Sequence, residues 1–347
     1  MTRRSSCRMS GVDISVLAFT LTLAGFAVSS ANAQAQAEAP VPLEQPLPEA
    51  PRGRGGNVTE GWIVVRYSVL ADGSTDAVIV VDKLPPQLNH RDTVAAVEDW
   101  RFNPARVDGE AVDWHNNEAV IVLRGEGVPV APGAAFAESY RAIAAMVDAG
   151  ELEEALRENE RQQRDGTENL REIALLLVQN ATIQLRLGNA HAARAAITRA
   201  TDPGVPTITG NELEVALQYR NTLELQLGDL IGALETLERR NAYAPVPADD
   251  IVAGNVAAIE KALADGSAIV HQVQLLEVPW WHALDRRTFA ITVVDGSVDS
   301  IDVACDRRVA ELEYAPDAEW SLPESWGACT VAVHGDENSE FQFFEFQ

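Results

Sequence analysis

The sequence predicts a multidomain α+β protein. A small α+β unit comes first, then an α-helical repeat array, then a C-terminal antiparallel β domain with one disulfide. Three observations carry this reading. Residues 57–127 combine β-branched runs with one short amphipathic segment, residues 134–266 are rich in Ala, Leu, Glu and Arg with helical periodicity, and residues 267–347 return to strand-like runs around Cys305 and Cys329.

The first 33 residues have the three parts of a secretory signal. Arg3, Arg4 and Arg8 make a positive start, an apolar stretch runs from Ile14 to Val28, and Ala31-Asn32-Ala33 offers cleavage after Ala33. The apolar stretch falls short of the roughly 20 residues of a membrane span. Export with cleavage is therefore expected, with an inner-membrane anchor facing the periplasm as the alternative. The chain carries a net charge of −25. Residues 1–33 hold three arginines against Asp13, a net of +2, which leaves −27 on the remainder. Such acidity disfavours nucleic acid and anionic lipid as partners. Cys7 precedes the cleavage point, so Cys305 and Cys329 are expected to pair in an oxidising compartment.

Residues 34–56 read as a Pro/Ala/Gly-rich spacer, with Pro40, Pro42, Pro46, Pro48 and Pro51. Such a composition cannot build a core and tends toward extended polyproline II. In the α+β unit, Trp62–Leu70 has strand composition, Ala71-Asp72-Gly73-Ser74 is a hairpin turn, and Ala77–Val81 is a second β-branched run. Pro85 and Pro86 break the chain. Asp92 can then cap a helix with Val94, Ala95, Val97 and Trp100 on its apolar face. Pro104 ends that helix, and Ala119–Leu123 supplies the last strand.

A helix that ends in Trp100-Arg101-Phe102-Asn103-Pro104-Ala105, after an Asp-Gly hairpin, resembles the C-terminal domain of TonB, the periplasmic module of energy-transducing proteins. Gly61, Tyr67, Asp72, Gly73, Pro85, Trp100, Arg101, Phe102 and Pro104 carry the resemblance, mainly as fold-maintaining residues. It implies binding at a sheet edge, where a segment of an outer-membrane transporter adds as a strand through backbone hydrogen bonds. By position that edge is Ala119, Val120, Ile121, Val122 and Leu123, approached around Trp114–Asn117, with Arg101 and Arg106 the nearest basic groups. Three features depart from the family. No tyrosine-proline motif precedes the first strand, no histidine lies in the N-terminal apolar stretch, and some 220 residues follow the unit.

In residues 134–266, Gly150, Gly188 and Gly228 are each followed five residues later by Ala155, Ala193 and Ala233. Each glycine lies between two amphipathic segments: Phe136–Ala149 and Leu152–Gln163, Leu170–Leu187 and Ala190–Ala200, Glu212–Leu227 and Leu230–Asn241. The glycine permits a tight turn, and the alanine lets paired helices approach closely. These repeats resemble tetratricopeptide repeats, which implies a peptide-binding groove; a helical spacer between the flanking domains is the alternative. A last helix is expected from Asp249 to Ala264. The C-terminal domain is expected to use strands at 268–276, 288–294, 298–305, 329–334 and 340–346. Its Trp280, Trp281, Trp320 and Trp326 are core residues or, alternatively, a glycan- or peptidoglycan-binding platform.

The sequence contains no nucleophile elbow, P-loop or dinucleotide fingerprint, and its six histidines have no ligand spacing on a helix face. The expectation is a non-enzymatic protein with no catalytic residues, cofactor or metal. It would act by protein–protein contact in TonB-dependent envelope transport, with an outer-membrane transporter segment or another periplasmic protein as partner. The alternatives are a soluble periplasmic scaffold without energy transduction and a peptidoglycan binder.

Overall fold

In the computed structural model the described residues are 37–48, 60–125, 131–165, 167, 169–202, 204, 205, 207–243, 259, 261, 264–276 and 279–347. The expected signal with its cleavage at Ala33, the run 52–56, and most of the helix expected from Asp249 lie outside them.

The stretch expected to be a free spacer is docked along part of its length. Strand β1 (Ala37–Glu38) and β2 (Val41–Glu44) pair antiparallel with strands of the α+β unit, and the Trp100 indole donates to Pro46 O at 3.0 Å. The side chains of β2 stay exposed. This segment therefore contributes backbone hydrogen bonds rather than a core, as its proline content requires at a sheet edge.

The α+β unit consists of β3 (Gly61–Val69), β4 (Thr75–Leu84), α1 (Arg91–Glu98), β5 (Arg101–Asn103), β6 (Ala105–Val107), β7 (Glu110–Val112) and β8 (Trp114–Leu123). Its main sheet has the order β4-β3-β8, all antiparallel. The expected second and last strands are thus longer than the β-branched runs that marked them. The helix also differs from expectation. It ends at Glu98, well before Pro104, and the residues around that proline are strands. Its buried positions are Thr93 and Val97, followed by Trp100, while Ala95 faces solvent. Asp92 lies in the first turn rather than at the N-cap, where His90 makes no side-chain cap.

Among the described residues three helix pairs follow: α2 (Ala134–Ala149) with α3 (Leu152–Asp165), α4 (Leu170–Arg186) with α5 (Ala190–Ala200), and α6 (Asn211–Gln226) with α7 (Leu230–Tyr243). Gly150, Gly188 and Gly228 stand at φ of 82°, 88° and 75°, the left-handed geometry that ends a helix with little strain only at glycine. Ala155, Ala193 and Ala233 are at most 2 % exposed, at the close approaches the small side chain allows.

The C-terminal domain holds β9 (Ile269–Gln274), β10 (Trp280–Ala283), β11 (Thr288–Asp295), β12 (Val298–Cys305), β13 (Arg308–Glu313), β14 (Glu319–Ser321), β15 (Cys329–Gly335) and β16 (Glu340–Phe346). They form two four-stranded antiparallel sheets, β10-β15-β12-β13 and β14-β11-β16-β9, that share one core. Cys305 and Cys329 face each other across β12 and β15 and are disulfide-bonded. A bridge closing a loop of this length contributes about 3 kcal/mol. Three of the four tryptophans, Trp280, Trp320 and Trp326, pack on this core.

These parts do not sit apart. One face of the β4-β3-β8 sheet carries Ile63, Val65 and Tyr67 against Val97, Trp100 and Phe102. The other face carries Trp62, Val64 and Leu84 into a core shared with Leu170, Ile173, Leu177, Ala193 and Ile197 of the helices. The helices are therefore not a spacer. They complete the sheet, which explains why Trp62 to Val65 are all buried instead of alternating. Glu60 reinforces the join, with Oε2 accepting from Leu170 N at 3.1 Å at the start of α4 and Oε1 accepting from Gly125 N at 3.0 Å.

Candidate interaction edge and the adjoining cleft

The residues singled out by motif form one interlocked turn. Asp72 Oδ1 accepts from Ser74 N at 2.9 Å and from the Ser74 hydroxyl at 2.6 Å, which holds its carboxyl below the usual carboxylate range. Gly73 takes φ +86°, and a Cβ there would lie 2.1 Å from Phe102 O. Phe102 N in turn donates to Gly73 O at 2.9 Å. The hairpin tip is thus clipped onto β5, so the Asp-Gly pair and the Trp-Arg-Phe-Asn-Pro run are two halves of one contact. Tyr67 meets Trp100 edge-on at 5.5 Å beneath it. Gly61 is another close approach, since a Cβ would lie 2.3 Å from Leu84 O beside Pro85. Arg101 and Arg106 are exposed and donate to carbonyls of their own turns, Arg101 to Trp100 O and Arg106 to Gly109 O.

Ala119–Leu123 lies on β8, at the end of the sheet order, and among the described residues β3 is its sole strand partner. Its side chains are divided between two cores. Ile121 and Leu123 point to the α1 side, while Val120 and Val122 pack on the helix-side core. The expected approach at Trp114–Asn117 is partly covered. His115 N donates to Asp306 O at 2.8 Å and Asn116 Nδ2 to Ala328 O at 3.4 Å, so the C-terminal domain clasps the first part of the strand. Beside this clasp the Arg66 guanidinium lies over the Trp281 ring at 4.4 Å and pairs with Glu118 at 2.8 Å.

Between the sheet, the helices and the C-terminal domain lies a cleft of about 970 Å³, lined among others by Val81, His191, Arg194, Trp281, His282 and His334. Four of the six histidines scattered along the sequence, His191, His271, His282 and His334, line this cleft. His271 Nε2 and His282 Nε2 stand 3.2 and 2.8 Å from the same oxygen, Glu345 Oε1. Glu345 Oε2 accepts from Asp285 N and Arg286 N, both at 2.8 Å. On the other side His271 Nδ1 is 3.6 Å from Asp229 Oδ1, and Arg194 donates to Asp229 Oδ2 at 2.9 Å. Burial pushes the Glu345 and Asp229 carboxyls up, but the histidines bonded to Glu345, and His271 with Arg194 beside Asp229, outweigh it and hold both well below the usual range. Burial likewise opposes the charge on His271, yet Asp229 and Glu345 raise it to about 9.

Spacing along the chain could not have found this cluster, because 74 positions separate His271 from Glu345. The available signal was register. His271 stands between Ile269 and Val273, and Glu345 follows Phe341 and Phe343, so each is an ionisable residue in the inward phase of a strand.

Among the described residues no helix is long and apolar enough to cross a membrane. No curated protein matches the chain. Residues 54–117 match the family described as Gram-negative bacterial TonB protein C-terminal, about a fifth of the chain, ending just before Ala119–Leu123. Over that stretch the chain carries a TonB C-terminal-type domain, which suggests protein–protein interaction in the cell envelope.

Proposed function

We propose that this protein is a periplasmic, non-enzymatic interaction protein that takes an extended segment of an outer-membrane transporter, or of another periplasmic protein, along β8 from Ala119 to Leu123. The observation that carries this reading is the position of that strand at the sheet edge, next to a family-matched domain. An edge strand offers a row of backbone donors and acceptors, and an added strand satisfies them. The signal-like composition of residues 1–33 supports export, and the inner membrane enters only if that segment is retained.

Photo-crosslinking tests the reading. A crosslinking residue replaces the exposed Glu118 or Arg124 in the full chain, in cells of the producing bacterium. The expected product joins β8 to an extended segment of an envelope protein. A second reading, a scaffold that transmits no energy, draws on the core that the sheet shares with the helices, because a sheet tied down in this way is a fixed platform. Crosslinks arising only from exposed helix positions such as Arg141 or Arg157 would favour the scaffold and overturn binding at the edge.

A further inference from the structure

Glu345 is fully buried at the inward register of β16, in phase with the core residues Phe341 and Phe343. A carboxylate in such a place needs strong partners. Two of them, the Asp285 and Arg286 amides, fix its orientation through Oε2. The other oxygen, Oε1, is left facing two imidazole nitrogens, His271 Nε2 at 3.2 Å and His282 Nε2 at 2.8 Å. The Asp285 carboxylate completes a set of four groups whose ligand atoms all lie within 4.8 Å of one another. In a tetrahedral site with bonds of about 2.0–2.1 Å, neighbouring ligand atoms are about 3.3 Å apart. The Glu345–histidine spacings are close to that, and the exposed Asp285 carboxylate, within 4.8 Å of the others, closes in on an entering cation.

We propose that His271 Nε2, His282 Nε2, Glu345 Oε1 and the Asp285 carboxylate bind one first-row divalent metal ion of the zinc class at the wall of the cleft. Two imidazoles with carboxylates suit zinc and its neighbours, whereas magnesium and calcium prefer all-oxygen sets. The surroundings fit a ligand set held in advance. Asp229 faces the far nitrogen of His271 and is itself fixed by Arg194 and by Gly232 N at 3.0 Å, the carboxylate–histidine arrangement that orients metal-bound imidazoles. Trp280 stacks flat on His282, 5.0 Å between centroids and 6° from parallel, and so fixes the second ring. His282 lines the cleft, which supplies an entry path and an open side. In the metal-free protein the same nitrogens and oxygens are held together by protons. A bound ion would replace those protons and tie the start of α7, through Asp229 and His271, to the C-terminal domain.

Calorimetric titration of the full chain with Zn²⁺ alone, after treatment with a chelator, tests the proposal, and Co²⁺ absorption reports the ligand geometry. One ion per chain is expected, with visible Co²⁺ bands of low coordination number. Asp229→Asn should weaken binding about ten- to a hundredfold. His282→Gln keeps an N–H donor for Glu345 Oε1 but supplies a poor ligand, and should weaken binding at least as much. Asp285→Asn, at an exposed position, should weaken binding without changing the circular dichroism of the metal-free chain. Absence of stoichiometric Zn²⁺ binding by the folded wild-type chain, or unchanged binding by folded His282→Gln, would overturn the proposal and leave Glu345 as a purely hydrogen-bonded carboxylate.

Discussion

Asp82 and Arg199 join the sheet to the helices through two parallel hydrogen bonds, Arg199 Nε to Oδ2 at 3.1 Å and Arg199 Nη2 to Oδ1 at 2.8 Å. Such a paired contact depends on the planar guanidinium, which lysine cannot reproduce. Both side chains keep about a quarter of their surface exposed, so solvent screens part of the gain. Arg199→Lys should cost about 1 kcal/mol and Arg199→Ala about 1–2 kcal/mol in urea unfolding. A null effect in both would mean the contact is fully screened.

Trp62 is 1 % exposed and lies where the sheet meets the helices. Trp62→Ala should remove about 3–5 kcal/mol. Because the core is common to both parts, the loss should lower the melting of sheet and helix together. Calorimetry should show them unfolding in one transition. Two separated transitions, with only one of them shifted by the substitution, would contradict a shared core.

Gly73 offers a sharper local probe. An alanine there must hold φ near +86° and push a methyl against the Phe102 carbonyl. The expected cost is on the order of 2–4 kcal/mol. The near-ultraviolet signal of Trp100 should change, since the hairpin tip lifts from β5. An unchanged signal with full stability would show that the clip is dispensable.

His191 gives a pH dependence of definite sign. Burial, with the nearby Arg194 charge, lowers it from 6.5 to about 4, and its Nδ1 has no hydrogen-bond partner among the described residues. Between those values the unfolded chain takes up a proton that the folded chain refuses. Stability from this residue is therefore complete above pH 6.5 and is lost as the pH falls toward 4. The side chain is partly exposed, so the loss is held to about 1–2 kcal/mol. His191→Leu should flatten the urea midpoint over that window relative to wild type. Parallel profiles for the two proteins would remove His191 as the cause.

Much of the fold was legible because its signals are local. The Asp72-Gly73 turn, the glycine–alanine repeat and the opposed cysteines each act over a few residues or through one chemistry. The misses follow from tertiary context. Thr93 is buried and Ala95 exposed because α1 has eight residues and the sheet above it sets which face turns inward. Strand β13, Arg-Val-Ala-Glu-Leu-Glu, has helix-forming composition, yet the two-residue turn after Cys305 folds it back along β12. Trp62 and Val64 gave no hint that a second core would cover them. The cleft cluster was invisible to spacing, although an ionisable residue among Phe341 and Phe343 was already anomalous.

The disulfide lies immediately beside the clasp on β8. Asp306, which follows Cys305, and Ala328, which precedes Cys329, are bonded to each other and hold His115 and Asn116. An uncovered sheet edge invites self-association, and covering part of it is a recognised protection. Reduction of Cys305–Cys329 would loosen both ends of that cover and lengthen the unpaired edge. The reduced chain should therefore form dimers or larger species in light scattering that the oxidised chain does not, a difference that would make storage under oxidising conditions a requirement for keeping the protein monodisperse.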